Sequence, residues 1–136
     1  AHLSMTDIRH ALDGLLEAMK ESPLPRSELR SLGDILGRDR LAGLVGTSGP
    51  SLRRYLAGTR TVPDEIAQRA HSLAIVVSHL RGGYNAMGVR RWFERPRTQL
   101  DGQAPQELLS GAWDPDDPRP RRVQALARSL LGSPAT

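Results

Sequence analysis

Apolar residues along this chain recur at spacings of three and four, and no stretch alternates apolar and polar over a useful length. That periodicity predicts helices and no strand. Ile8, Leu12, Leu15, Leu16 and Met19 mark a first amphipathic helix, with Thr6 placed to cap it and Asp7 in its first turn. The run Ser22-Pro23-Leu24-Pro25 breaks it. A second helix is predicted from Ser27 to near Gly37, carrying Leu29, Leu32 and Ile35, with Glu28 at the positive end of its dipole. Two short helices follow, Arg38 to Val45 and Pro50 to Ala57, separated by Gly46-Thr47-Ser48-Gly49 and closed by Gly58. A longer one runs from Pro63 and Asp64 to about Arg81. Its Ile66, Ala70, Leu73, Val77 and Leu80 form one apolar stripe, and Ile75 and Val76 add another. A helix apolar on most sides belongs at the centre of a fold. A helix from about Tyr84 to Glu94, a short one from Pro105 to Leu109 and a last one through Val123, Leu126, Ala127, Leu130 and Leu131 bring the expected total to eight. The fold class is all-α.

The two short helices carry the most specific geometry. A helix–turn–helix packs two short helices at a steep angle. The first needs a small residue at the crossing, and Ala42 supplies it. The turn needs a residue tolerant of positive φ, and Gly46 stands four positions on. The second needs apolar anchors on its inner face, and Leu52 and Tyr55 fit, with Leu56 beside them. Ser48 is placed to cap the second helix through its hydroxyl. The layout turns Thr47, Ser48, Gly49, Ser51, Arg53, Arg54 and Arg60 toward a partner. In a recognition helix the N-terminal part meets base edges in the major groove of double-stranded DNA. Arg53 or Arg54 suits a guanine, and Arg60 and Ser48 suit phosphate. The competing reading is a helical hairpin with a solvated charged face.

Charge bears on that choice. The 136 residues hold 19 basic and 15 acidic side chains, for a net charge of +4 and a pI near 10.6. Only Lys20 is a lysine. Arginine is the better residue for forked contacts to phosphate and guanine. A GC-rich genome produces the same excess, so the distribution matters more than the sum. Residues 34–60 hold five arginines and two aspartates, a local +3. Hydrophobic residues make up 38% and aromatics only 4%, which sets an aliphatic core in one ordinary domain or two small lobes.

The later half adds an ordered pattern. Val89-Arg90-Arg91-Trp92-Phe93-Glu94-Arg95-Pro96 precedes Leu100-Asp101-Gly102-Gln103-Ala104-Pro105-Gln106-Glu107-Leu108-Leu109-Ser110-Gly111. Gly102 permits a turn, Pro105 starts a helix, and Leu108 and Leu109 pack inward. Residues 81–97 hold five arginines against Glu94, a local +4. Beside Trp92 and Tyr84 this suits a partner surface or a second nucleic-acid contact. Trp92 reads as core. Trp113, next to the acidic loop Asp114-Pro115-Asp116-Asp117-Pro118, reads as an exposed contact.

Together with the upstream helix pair, this half resembles the Xre/MbcA/ParS antitoxin family over about residues 34–132. That family has a helix ending in Trp and Pro, then a Leu-x-Gly-x-x-Pro-x-x-Leu-Leu-x-x-Gly run, which Ser110-Gly111 closes one residue early here. Arg97 stands where the family often has Asn. The resemblance implies an antitoxin that neutralises a RES-domain toxin, which consumes NAD, and that represses the shared operon as a dimer. It implies toxin contacts in the C-terminal region, with Arg97, Trp113, Arg128 and Ser133 as candidates. The alternative is a free-standing Xre-like repressor without a toxin. A protein-interaction module that never meets DNA is a third class.

The expected division is an arm over residues 1–26, a DNA-binding part over residues 27–81 and a partner-binding lobe over residues 82–136. No catalytic constellation stands out. The absence of cysteine excludes a disulfide scaffold, a zinc finger and a thiol nucleophile. His2, His10, His71 and His79 lack ligand spacing, and no carboxylate partner is expected near His71 or His79. There is no phosphate-binding glycine loop or dinucleotide fingerprint. Neither enzyme activity, a metal nor a cofactor is expected. No apolar run approaches 18 residues, and the N-terminus lacks a signal pattern. Met5 is a candidate natural start, and a cytoplasmic protein is expected.

Overall fold

The computed structural model describes residues 24–130. The expected N-terminal helix and the candidate Ser133 lie outside them. Seven helices follow in order: α1 (Pro25–Leu36), α2 (Arg38–Val45), α3 (Gly49–Ala57), α4 (Asp64–Leu80), α5 (Ala86–Glu94), α6 (Pro105–Leu108) and α7 (Pro118–Ser129). A 3₁₀ turn covers Thr98–Leu100, and a single antiparallel bridge pairs Arg97 with Gln103. The described residues form no strand, so the architecture is all-α.

Two helix starts differ from expectation. Pro25 does not precede α1 but begins it, where its missing N–H leaves no bond unmade. Tyr84 lies before α5, because Asn85 caps that helix by accepting from the Gly88 N–H at 2.9 Å.

The long helix α4 is central. It buries Ile66, Ala70, Leu73, Val76, Val77 and Leu80 and packs against α1, α2 and α7. One core runs from Leu29 in α1 to Ala127 in α7, drawing on residues either side of position 81. Trp92 and Phe93 of α5 are buried edge-to-face, with ring centres 5.3 Å apart. Leu100, Pro105, Leu108 and Leu109 are buried too, so the Leu-x-Gly run closes the core as its residues predict.

Arginines tie the helix ends together. The last turn of a helix leaves carbonyls without intrahelical partners, and a cation there is favourable. Arg30 donates to the Leu56 carbonyl of α3 at 3.0 Å. Arg90 donates to the Ile35 carbonyl of α1 at 2.6 Å. Arg69 reaches the Val45 carbonyl of α2 at 3.0 Å and the Trp113 carbonyl at 2.7 Å. Arg40 joins α2 to α5 through the Arg90 carbonyl, at 3.1 Å, and the Glu94 carboxylate.

Two expectations are corrected. Trp113 is not an exposed contact: it keeps 7% of its surface, and its indole N–H donates to the Leu44 carbonyl at 2.7 Å. An unpaired carbonyl at the end of α2 supplies the partner that makes this burial favourable. His71 is not without a carboxylate either, because its Nδ1 lies 3.0 Å from Glu28 Oε2 across the α1–α4 contact.

Candidate nucleic-acid interface

The segment from α2 to the end of α3 builds an exposed basic face on a buried support. Ala42 is buried, and α2 packs against α3. Gly46 ends α2 with φ at 75°. A Cβ there would lie 2.5 Å from the Gly111 carbonyl oxygen, so glycine is required by space as well as by conformation. The Thr47 N–H then returns to the Ala42 carbonyl at 2.9 Å. Ser48 caps α3 by accepting the Ser51 N–H at 3.1 Å, and its own hydroxyl hydrogen stays available to an acceptor. Leu52, Tyr55 and Leu56 are buried, holding the inner face of α3 against α1 and α2.

The outer face is polar and positive. Ser48, Gly49, Arg53, Arg54 and Arg60 are exposed, while Thr47 and Ser51 are half-buried. The side chains of Arg53 and Arg54 make no hydrogen bond or ion pair among the described residues, although the Arg54 carbonyl accepts from Thr59. No carboxylate occurs anywhere in residues 46–63. Arg60 folds back beside the helix, its guanidinium 6.0 Å from the Tyr55 ring centre and Nη1 3.5 Å from Ser51 Oγ. Arg60 therefore sits near the first turn of α3 although it follows the last. Its position joins both ends of α3 into one surface.

Sequence reasoning missed Arg26. Its guanidinium packs directly against Gly58 at the C-terminal end of α3. Chain proximity gives no sign of this, since α1 delivers Arg26 from 32 positions away. The same reasoning overcounted elsewhere, because Arg40 is engaged with Glu94 and leaves that face.

The C-terminal candidates are scattered. Arg128 is exposed on α7 and Trp113 is buried under α2. Arg97 is half-buried with its guanidinium 4.9 Å from the Trp92 ring centre. Burial lowers the Arg97 pKa from its ordinary value; Tyr84 opposes the shift and Arg95 adds to it. Among the described residues, no hydrogen bond or ion pair joins Arg97, Trp113 and Arg128.

In comparison with known proteins, the chain matches no family model, no curated protein and no solved structure. Among the described residues, no three potential ligands group to hold a metal ion, and no helix is long and apolar enough to cross a membrane.

Proposed function

We propose that this chain is a DNA-binding regulator of the helix–turn–helix kind, with α2 as support and α3 as recognition helix. One observation carries the reading: α3 buries its apolar face completely and leaves Arg53 and Arg54 exposed and unpaired in a stretch without a carboxylate. Arg53 or Arg54 forks onto guanine in the major groove. Arg60, the Ser48 hydroxyl and Arg26 hold phosphates and fix the register. A single helix selects too few base pairs for one genomic site, so a dimer on paired half-sites is part of the proposal.

The resemblance to the Xre/MbcA/ParS family extends this to an antitoxin that represses its operon and neutralises a RES-domain toxin in the cytoplasm. Arg97 and Arg128 remain candidate toxin contacts. The burial of Trp113 removes one exposed anchor from that surface and favours the second reading, a repressor without a toxin.

Fluorescence anisotropy with a duplex from the chain's own promoter tests the DNA reading. Binding should weaken steeply with added salt, because neutralised phosphates release counterions. Salt-independent binding, or none, overturns it. Co-expression with the product of the neighbouring gene tests the toxin: rescue of growth supports the antitoxin, and a harmless product leaves the repressor.

A further inference from the structure

One face of α5 is basic and concave and takes no part in the surface above. Gly88, Arg91, Trp92 and Arg95 recur at helical spacing along it. The Tyr84 ring lies over Gly88, so close that a Cβ there would be 3.0 Å from it. At the other end the Arg97 guanidinium covers Trp92. Between them these six residues line a pocket of about 300 Å³. Three of the six are arginines, and none carries a carboxylate. Glu94 of the same helix is engaged with Arg40.

Two donors behind the lining have nothing to donate to. Trp92 keeps 2% of its surface, and its Nε1 is buried without an acceptor among the described residues. Arg97 Nε is buried and unpaired in the same way. Both atoms are covered by protein and do not open onto the pocket, so its chemistry is set by the guanidinium groups of Arg91, Arg95 and Arg97. The chain positions Arg97 firmly. Its N–H donates to the Gln103 carbonyl at 3.0 Å, and its carbonyl accepts the Gly102 N–H at 2.8 Å. The tight turn at Asp101 and Gly102 therefore fixes the backbone from which that guanidinium extends over the indole.

We propose that this pocket binds a phosphate dianion, either free or as the head of a small phosphomonoester. Guanidinium forks match phosphate oxygens in geometry and charge. Arg91, Arg95 and Arg97 supply the charge and the forked donors, and the Tyr84 and Trp92 rings supply apolar wall. A pocket of this size exceeds a bare phosphate and leaves room for a sugar beside Tyr84. A DNA backbone suits the site less well, because a recess bounded by Tyr84 and Arg97 admits a phosphate with a free end better than a continuous rail of phosphates. The site is independent of the DNA reading: α5 packs on α1 and α6, whereas α3 packs on α1 and α2.

The two tryptophans give two indole N–H signals by NMR, one from Trp92 in the pocket and one from Trp113 outside it. The full chain is titrated with inorganic phosphate, with ribose 5-phosphate, with ribose and with a short DNA duplex. Saturable movement of the Trp92 signal by phosphate or ribose 5-phosphate, with Trp113 static, is the expected result. Tighter binding of ribose 5-phosphate identifies a phosphomonoester, and equal or weaker binding identifies free phosphate. Ribose should move nothing. Arg97→Lys keeps the charge but loses the fork, and should weaken phosphate binding roughly tenfold or more. Arg91→Gln with Arg95→Gln changes only partly or fully exposed positions and should weaken it comparably, with the Trp113 signal reporting that the fold is intact. The proposal is overturned if neither phosphate probe moves the Trp92 signal with a Kd below about 10 mM. It is equally overturned if only the duplex does so, which would make the face a nucleic-acid contact.

Discussion

Trp113 and Leu44 are 69 residues apart in the chain, and the indole of one donates to the main-chain carbonyl of the other at 2.7 Å. The bond closes the end of α2, directly before the turn into α3. Trp113→Phe keeps most of the apolar contact and leaves the Leu44 carbonyl without this donor, which should cost about 1–3 kcal/mol. Trp113→Ala should cost about 3–5 kcal/mol. Urea unfolding followed by circular dichroism measures both. An alanine variant as stable as the parent would show that the indole contributes little to the fold.

Gly46 and Gly49 separate conformation from mere small size. Gly46→Ala places a methyl in the left-handed region and against the Gly111 carbonyl, and should destabilise the chain by about 2 kcal/mol or more. A methyl at Gly49 meets nothing within 4 Å and should change stability by about 0.5 kcal/mol at most. Thermal melts of the two variants should therefore diverge clearly.

If α3 reads DNA as proposed, Arg53 and Arg54 within it and Arg60 after it have different roles, and salt distinguishes them. Substituting whichever of Arg53 and Arg54 contacts a guanine should cost about 1–3 kcal/mol and relax preference at that base pair. Arg60→Ala should weaken all duplexes alike and make the slope of log affinity against log salt shallower by about 1. Promoter binding by Arg53→Ala with Arg54→Ala at parental affinity would remove α3 from the interface.

Asp101 sits in the left-handed region at φ 57°, and its carboxylate meets Arg122 Nη1 at 2.9 Å. The hydrogen bond from Arg122, followed by its charge, holds the Asp101 pKa below the ordinary carboxylate range. A depressed acid stabilises the fold above its unfolded pKa, about 4, and loses that contribution as pH falls through the folded value. Arg122→Ala should return the Asp101 pKa to the usual range, as followed by its carboxyl carbon in an NMR titration. An unchanged value in that variant would mean that Arg122 is not the cause.

The helices were largely legible, because burial at Leu29 and Leu32, or at Ile66, Ala70, Leu73 and Leu80, follows directly from spacing of three and four. The α2–α3 turn was legible for a related reason: the left-handed turn at Gly46 and the cap at Ser48 involve neighbours within five residues, whereas the Gly111 carbonyl that crowds Gly46 lies outside any local pattern. The ties at Arg30, Arg69 and Arg90 were not. Their acceptors are main-chain carbonyls, which every residue carries, so sequence offers no pattern to match them. Trp113 was misjudged on its acidic neighbours, which are exposed at Asp114 and Asp116 while the ring itself turns inward. Nor did any local signal bring Arg26 to the end of α3 or leave the Trp92 N–H unpaired, since both depend on how distant elements meet.

The approach of Gly111 to Gly46 bears on transplantation. Gly111 also donates its N–H to the Gly43 carbonyl at 3.3 Å, so the turn between α2 and α3 is shaped partly by a segment from the far end of the chain. A graft of residues 38–60 into another scaffold would leave behind the lid that rests on this turn, with the Leu44 and Val45 carbonyls newly uncovered. A portable version must carry Gly111 to Trp113 and Arg69 with it, and recombination that exchanges only the first half of the chain would inherit a mismatched hinge.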